Sequence, residues 1–496
     1  MPVANTAASP VTVLTRLSVD AEGREARVPE GRAGSVTPAV SDDGRFTVFA
    51  STAANLVPGD TNSCSDIFLR DLRAGTVSRV SLAPNGGQQR VRTPGDGASS
   101  PDISANGRYI VYSSAATNLA PGDTNGLNDI FRYDRLTGAT LRVSVATGGA
   151  QQAAGDDSTV YGATTPRISA DGRHVAFISD APNLVPGDTN GTADVFVRDL
   201  AAGTTIRVSV SSEGVQGKAG DEPWTVAGLA LSGNGRTVGF IARYDNLVTD
   251  DTNNHSDVFV RDLKTGKTTR VSVASDGREG GFAPYDFPGS VDLSADGRYV
   301  VFSTDSPDLV PGDTEVDTDL FLHDRQAGET SCLSVDPEGR PVQGAWIGGE
   351  GVSISADGRV VAFASDANGL VAGDDPLDRP SMDVFVRDIG GGVTSRLTAG
   401  PAGDRSGSSG TTSGIATGLS ANGRVVVFNS DRPNLVTGDA NNTHDVFAMP
   451  VPRSASYPVD LARVLPAVPL STSASAAIPL GPPVVKARGL LAAMAE

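Results

Sequence analysis

One segment of about 63 residues recurs seven times in this chain of 496 residues, and that repetition limits the folds it can adopt. Each copy carries the turn sequence Ser-x-(Asp/Asn)-Gly-Arg. A repeat of this size indicates an array or a closed ring of one supersecondary unit, because each copy must bury its apolar face against a neighbour. Successive turns begin 61 to 65 residues apart, at Ser41, Ser104, Ser169, Ser232, Ser294, Ser355 and Ser420.

Within one copy, four short segments have the composition of β-strands. In the third copy they span residues 166–169, 173–179, 194–200 and 204–210, and they are rich in Val, Ile, Thr and Phe. No segment shows sustained helical periodicity with caps. Four antiparallel strands repeated seven times predict an all-β fold, namely a seven-bladed β-propeller of four-stranded antiparallel blades.

The two ends of the repeat region predict that the ring is closed. The seventh copy lacks its outer strand, whereas residues 13–19 at the other end have the sequence of one. We therefore expect the N-terminal strand to complete the last blade and remove an open sheet edge, with an open solenoid as the alternative. The chain then divides into an N-terminal extension (1–12), the propeller (13–450) and a Pro-, Ala- and Ser-rich tail (451–496) that we expect to be disordered.

The chain is acidic, with a formal net charge of −18 and a pI of about 4.7. Nucleic-acid binding needs clustered Lys and Arg, so we expect no nucleic-acid partner. No apolar run approaches the roughly 20 residues of a transmembrane helix, so we expect no membrane insertion. The first residues lack the basic start and apolar core of a signal peptide. The surface suits cations, basic partners or simple solubility, and we expect a monomer.

Three motifs recur in order along the copies. They are the Ser-Ala-Asp-Gly-Arg turn, the following (Val/Ile)-(Ala/Val)-Phe strand and the later Asp-(Val/Ile)-Phe-(Val/Leu)-Arg-Asp strand. Together they resemble the WD-like propeller repeat of the TolB type over roughly residues 13–450. The resemblance implies a bacterial protein, often exported to the periplasm or beyond, and often a protein-binding or envelope component. The chain departs from that family in its longer repeats, in seven blades rather than six, and in showing no separate N-terminal α/β domain.

The loop between the second and third strands carries the polar motif Asp-x-Asn-x-x-x-Asp in five copies. Calcium takes roughly six to eight oxygen ligands, and such a loop resembles part of a calcium site, which makes calcium the candidate cofactor. The alternative is that Asp and Asn form Asx turns that fix the loop to the next strand. The candidate ligands are Asp60, Asn62, Asp66, Asp123, Asn125, Asp129, Asp188, Asn190, Asp194, Asp251, Asn253, Asp257, Asp439, Asn441 and Asp445.

Four aromatic residues outside the repeat pattern are candidates for ligand binding, because the scaffold does not require them. They lie in blade-to-blade loops, which share one face of the ring with the long second-to-third loops, here called the long-loop face. Aromatic anchors there would suit a protein, peptide or carbohydrate ligand. Packing between blades is the alternative interpretation. The four are Tyr161, Trp224, Tyr285 and Trp346.

Two arginines recur in most copies, represented by Arg79 in the outer strand and Arg70 in the third strand. A ligand site seldom uses all blades equally, so we interpret both as structural. We expect them to pair with the neighbouring aspartate, such as Asp71, or with the next blade.

Signatures of enzymes are poor in this sequence. It contains no His-x-x-x-His or Cys-x-x-Cys pair and no Gly-x-Ser-x-Gly elbow, and we assign no catalytic residue. We expect a non-catalytic binding propeller with a protein or peptide ligand on the long-loop face. Two alternatives stay open. One is a lyase or glycosidase with a carboxylate or metal centre at the channel mouth, and the other is a calcium-stabilised extracellular structural domain.

Overall fold

The repeat region folds into seven four-stranded antiparallel sheets that form the blades of a ring. The structure, a computed structural model, describes residues 13–29, 32, 34–93, 97–153, 162–218, 226–253, 255–280, 289–314, 317–342, 346–373, 382–398 and 415–452. Over these residues all regular elements are strands, and no helix is long and apolar enough to cross a membrane. The predicted seven-bladed β-propeller is confirmed.

The strands are short and evenly spaced along the chain. In chain order they are β1 (Thr15–Arg16), β2 (Ser35–Val40), β3 (Phe46–Ser51), β4 (Asp66–Asp71), β5 (Thr76–Arg79), β6 (Ser99–Ile103), β7 (Tyr109–Ser114), β8 (Asp129–Asp134), β9 (Ala139–Arg142), β10 (Ala163–Ile168), β11 (His174–Ser179), β12 (Asp194–Asp199), β13 (Thr204–Arg207), β14 (Val226–Leu231), β15 (Thr237–Ala242), β16 (Asp257–Asp262), β17 (Lys267–Arg270), β18 (Val291–Leu293), β19 (Tyr299–Thr304), β20 (Asp319–Asp324), β21 (Glu329–Cys332), β22 (Ile347–Ile354), β23 (Val360–Ser365), β24 (Asp383–Asp388), β25 (Val393–Arg396), β26 (Thr417–Leu419), β27 (Val425–Ser430) and β28 (Asp445–Pro450). Blades 1 to 6 each take four consecutive strands, starting with β2–β5, and blade 7 combines β26–β28 with β1.

Strand β1 closes the ring, as the sequence predicts. It pairs antiparallel with β28, with Thr15 opposite Ala448 and Arg16 opposite Phe447. Blade 7 therefore joins the two ends of the repeat region in one sheet, and the open-solenoid alternative is wrong. The expected extension 1–12 and the tail from residue 453 onward lie outside the described residues.

Side-chain hydrogen bonds and the neighbouring blade fix the recurrent turn. In blade 2 the Ser104 hydroxyl donates to the Asn106 side chain over 3.1 Å and accepts from the Tyr109 amide over 2.9 Å. Gly107 has a φ of 69°, which residues with a Cβ rarely adopt. A Cβ at that position would also lie 2.2 Å from the Phe46 ring of blade 1. Glycine is thus required both by the turn and by the packing of adjacent blades.

Backbone hydrogen bonds between consecutive turns encircle the central channel. Each pair of adjacent blades contributes one bond, and the bond from blade 7 to blade 1 completes the circle. Their lengths are 2.9 to 3.4 Å. They run from amide to carbonyl as Asp42 to Ala105, Ala105 to Ala170, Ala170 to Gly233, Asn234 to Ala295, Ala295 to Ala356, Ala356 to Ala421 and Asn422 to Asp42.

Each blade places one stacked aromatic pair in the core, formed across its second and third strands. The ring centroids lie 5.6 to 5.9 Å apart, a favourable distance for offset stacking. Both faces of each sheet pack against a neighbouring blade, so the second strands are apolar along most of their length. The pairs are Phe49–Phe68, Tyr112–Phe131, Phe177–Phe196, Phe240–Phe259, Phe302–Phe321, Phe363–Phe385 and Phe428–Phe447.

Deleting residues 1–19 should destabilise the protein and promote self-association, because β28 would become an exposed edge strand. The deletion also removes Leu17, which is fully buried, and loss of one such side chain typically costs about 2–5 kcal/mol. Denaturant unfolding and analytical ultracentrifugation measure both effects. Deleting only residues 1–12 is the control and should leave the midpoint unchanged. An unchanged midpoint for the longer deletion would contradict closure by β1.

Candidate functional site

The five predicted calcium loops share one geometry, in which an arginine lies between two aspartates. In blade 1 the Arg79 Nη1 atom is 3.1 Å from Asp60 Oδ1 and 3.4 Å from Asp66 Oδ2. The Asn62 side-chain amide donates to Asp66 Oδ2 over 3.1 Å. The structure therefore brings each trio together around a guanidinium of the outer strand. The same arrangement joins Arg142 to Asp123 and Asp129, Arg207 to Asp188 and Asp194, Arg270 to Asp251 and Asp257, and Arg16 to Asp439 and Asp445.

The second aspartate of each trio is buried but has several hydrogen-bond donors. Asp66 accepts from the Ser81 hydroxyl and, over 2.8 Å, from the Gln89 side-chain amide. These bonds tie the third strand to the segment that follows the fourth strand and leads into the next blade. A buried carboxylate is tolerated when it is paired and hydrogen-bonded in this way. The hydroxyl contact recurs from Ser144 to Asp129, Ser209 to Asp194, Ser272 to Asp257, Ser334 to Asp319, Thr398 to Asp383 and Ser18 to Asp445.

The guanidinium occupies the place that a calcium ion would need between the carboxylates. Calcium requires roughly six to eight oxygen ligands, whereas in blade 1 the Asn62 side chain presents its nitrogen to Asp66. Within the described ranges, no group of three or more His, Cys, Asp or Glu is placed to hold a metal ion. This geometry supports the structural interpretation of the loops, and calcium binding stays a prediction.

The recurrent arginines pair differently from the sequence-based expectation. Asp71, an expected partner of these arginines, binds the turn arginine Arg45 with an Nη2–Oδ2 distance of 2.7 Å. Arg79 instead binds the long loop of its own blade, because that loop lies beside the outer strand in the folded sheet. Arg70 donates to the Val19 carbonyl of the segment leaving β1, so for this residue the expected contact with a neighbouring blade is present.

Blade 5 carries Cys332 at the position of the outer-strand arginine. Burial raises the pKa of the Cys332 thiol to about 12, so the side chain is uncharged. Asp319 is buried beside it, and burial together with the nearby Asp313 and Asp317 carboxylates raises the pKa of Asp319 to about 7. Blade 5 therefore keeps the buried carboxylate of the repeat without the repeat's own cation.

Cys332→Arg should stabilise the protein, because it returns a guanidinium to a blade that has lost one. The expected gain is about 1.5–3 kcal/mol, the usual worth of a hydrogen bond to a charged group. Denaturant unfolding at pH 7 measures it. Arg142→Cys is the matched reverse change and should cost about 3–5 kcal/mol, since it leaves buried carboxylates without their partner. If the Cys332→Arg protein is no more stable than the parent, the outer-strand arginine does not stabilise the buried aspartate as described.

Burial raises the pKa of the aspartates at the long loops and at the start of the third strands, and neighbouring carboxylates add to the effect. An aspartate whose folded-state pKa exceeds its unfolded value of about 3.9 destabilises the fold when it ionises. These groups therefore favour folding at mildly acidic pH. The pKa is raised to about 6 at Asp60, Asp129, Asp188 and Asp439, and to about 7 at Asp251 and Asp319.

Stability should increase as the pH falls from about 8 to 5, because the aspartates with a raised pKa become protonated. It should decrease below about pH 4, because arginine side chains hold the pKa of Asp134 and Asp324 at about 2, and protonation removes that contribution. His323, whose pKa burial lowers, opposes the first trend. Denaturant midpoints measured across this range check the profile. Asp251→Asn should reduce the difference between pH 8 and pH 5, and a midpoint that falls steadily from pH 8 to pH 5 would refute the account.

Of the four predicted aromatic anchors, the structure describes Trp346. This side chain is half-buried and packs against the apolar core shared by blades 6 and 7. Its backbone amide donates to the Asp366 carboxylate over 2.8 Å. Tyr161, Trp224 and Tyr285 lie outside the described residues. Trp346 thus has a packing role, and ligand binding by the four aromatics stays a prediction.

A central cavity of about 240 Å³, here called the channel cavity, is lined by first strands of the blades and reaches the tight turns. The first strands of blades 1 to 3 each carry a bulge at this wall. Thr37, Ser100 and Thr165 there have φ values of 49° to 50°, a region that residues other than glycine rarely adopt. Backbone strain of this kind concentrates at functional sites.

Three charged side chains from the first strands of different blades line the channel cavity: Asp102, Arg167 and Asp292. They occupy one repeat position, two residues before the serine of the turn. The repeat itself requires no charge there, and sequence reasoning missed these residues. Comparing the copies position by position would have found them, because the other blades carry the small residues Ala39, Ala230, Ser353 and Gly418.

Backbone amides of the neighbouring blade hold the two carboxylates in place. Asp102 accepts from the Ile168 amide over 2.8 Å. Asp292 accepts from the Ile354 amide over 2.9 Å. Burial raises the pKa of both aspartates, that of Asp292 to about 6, and the positive charge of Arg167 acts against this rise at each. Arg167 is therefore close enough to interact with carboxylates from two other blades.

No protein-family model matches the chain, and no curated protein matches it. It is similar to the solved structure of an oligogalacturonate lyase from Vibrio parahaemolyticus, with 13% identity over 90% of this chain and 98% of that chain and a TM-score of 0.49. The β-propeller domain of the Trilobed protease from Pyrococcus furiosus shows 12% identity over 86% and 94%, with a TM-score of 0.48. TolB from Acinetobacter baumannii shows 14% identity over 78% and 76%, with a TM-score of 0.37. The likeness to TolB and other propellers concerns the fold alone.

Proposed function

We propose that the chain is a non-catalytic binding propeller that takes a cationic side chain of a protein or peptide partner into the channel cavity. One observation carries the proposal: Asp102, Arg167 and Asp292 come from three blades and line one cavity at a position where the repeat needs no charge. Residues that recur in every blade serve the fold. Charged residues found in only some blades are not required by the fold, so we look for their role in binding.

The charge of the cavity wall favours a cation. Asp42 also lines the cavity, so three described carboxylates face one described guanidinium there. Arg167 donates from Nη1 to the carbonyl of Pro166 over 3.1 Å, which holds it along the wall. With the aspartates ionised the wall carries excess negative charge, which a lysine or arginine side chain would neutralise.

The size of the channel cavity favours a peptide side chain over a sugar chain. Its volume of about 240 Å³ is below the roughly 300–1,000 Å³ of most small-molecule sites. The cavity also reaches the tight turns, so the site proposed here is on the opposite side from the long-loop face that the sequence favours.

A second candidate is an enzyme of the lyase or glycosidase type that uses the same carboxylates. Asp292 supports it, because a carboxyl whose pKa burial raises to about 6 exchanges protons readily near neutral pH. Against it, backbone amides of the next blade hold both carboxylates, and no described His, Lys or Tyr lines the cavity. Cleavage of an oligosaccharide that Asp292→Asn abolishes would favour the enzyme.

A fluorescein-labelled lysine-rich peptide should bind the protein, and Asp102→Asn or Asp292→Asn should weaken binding about tenfold or more. Loss of one contact to a charged group costs roughly 1.5–3 kcal/mol, which corresponds to that factor. Binding should also weaken as the pH falls through about 6, because Asp292, whose pKa burial raises, becomes neutral. Fluorescence anisotropy measures both effects.

Asp276→Asn is the matched control, because it makes the same charge change at a side chain that is 70% exposed. It should leave the affinity unchanged. Thermal melts of all variants separate loss of binding from loss of folding. Asp292→Asn binding the peptide as tightly as the parent, with the same pH dependence, would overturn the proposal.

A further inference from the structure

A groove between blades 3 and 4, here called the blade 3–4 groove, opens beside their tight turns. Its volume is about 390 Å³, larger than the channel cavity, and the two share no lining residue. The groove wall includes His174 and Ile206 of blade 3 and Arg236, Leu263 and Lys264 of blade 4. It is therefore a separate feature of the surface.

The equivalent cleft between blades 6 and 7 is nearly closed, with a volume of about 40 Å³. The same repeat positions line it, so the difference in volume between the two clefts comes from the side chains at those positions. Its lining contains neither a lysine nor Arg424, the residue equivalent to Arg236. At the other positions it has Val360 for His174, Val451 for Leu263 and Pro452 for Lys264.

Between blades 1 and 2 the corresponding space is filled by an aromatic ring and two arginines. The Arg45 and Arg135 guanidinium carbons lie 4.5 Å and 4.2 Å from the centre of the Phe46 ring. In blades 3 and 4 the ring is replaced by the smaller His174, and the second arginine by Leu263. Neither that ring nor that second arginine is present between blades 3 and 4, where the groove lies.

Two cations at the blade 3–4 groove are free to bind a ligand. Arg173 is already paired within blade 3, since it donates to both carboxylate oxygens of Asp199 over 2.9 Å and 2.6 Å. Arg236 and Lys264 are exposed, and neither forms an ion pair with any residue that the structure describes. With Asp171 as the other acid, the lining has three positive charges against two negative ones. This local excess lies on a chain with a net charge of −18.

An apolar side chain borders these charges. Ile206 is 45% exposed, which is unusual among the large apolar residues that the structure describes. Val197 and Leu263 line the groove next to it. The surface therefore presents an apolar patch beside two basic groups, and a ligand that matches it needs both features.

We propose that the blade 3–4 groove binds an acidic peptide segment of a partner protein, in which carboxylates alternate with apolar side chains. The carboxylates bind Arg236 and Lys264, and an apolar side chain packs on Ile206. An acidic peptide is the occupant that charge complementarity favours. The groove is locally positive, whereas most of the surface of so acidic a chain repels such a peptide. The proposal does not depend on the channel cavity.

The test uses a fluorescein-labelled peptide of alternating leucine and glutamate, with anisotropy as the measurement. The parent protein should bind it, and added salt should weaken binding because exposed charges are screened. The double variant Arg236→Ala/Lys264→Ala should bind at least about tenfold more weakly. Ile206→Ser should also weaken binding while keeping the salt dependence.

Lys267→Ala is the matched control, because it removes an exposed lysine of the same blade outside the groove. It should bind like the parent, and a peptide of alternating leucine and glutamine should bind neither protein. Thermal melts confirm that the variants fold. The proposal is overturned if the parent fails to bind the glutamate peptide, if the glutamine peptide binds equally well, or if the double variant keeps the parent's affinity.

Discussion

A carboxylate buried at the start of each third strand is the interaction on which the rest of this propeller depends. In blade 1 it is Asp66, which accepts from Ser81 just after the outer strand, from Asn62 of the long loop and from Gln89 of the connection to blade 2. Arg79 supplies the opposite charge. Removing an ionised group from water costs several kcal/mol unless it is paired, so loop, outer strand and connection must all keep their partners.

The candidate sites lie where the repeat is broken, which follows from this constraint. Residues that serve the buried carboxylate recur in most blades, and they leave little freedom for binding. Asp102, Arg167 and Asp292 replace small residues at the channel, and His174 and Leu263 lie between blades 3 and 4 where blades 1 and 2 carry Phe46 and Arg135. The seven repeated blades form the scaffold, and residues that depart from the repeat form the candidate binding sites.

The fold was predictable from sequence because repetition gives the same information seven times. The turn spacing predicted the blades, and the displaced outer strand predicted the pairing of β1 with β28. The channel site was not predictable in the same way, because bulges such as that at Thr37 decide which side chains of a first strand face inward. The partner of Arg79 was also missed, since a loop distant in sequence lies beside the outer strand only in the folded sheet.

Our central proposal is that an arginine of each regular blade, in the place of a calcium ion, is the counter-ion of the buried aspartates. A high-resolution crystal structure grown with excess calcium, with anomalous scattering to locate the ion, tests it most directly. The account predicts a guanidinium between the carboxylates, and no calcium there, in the blades that carry Arg16, Arg79, Arg142, Arg207 and Arg270. Calcium bound between pairs such as Asp60 and Asp66, with the arginine displaced, would contradict it.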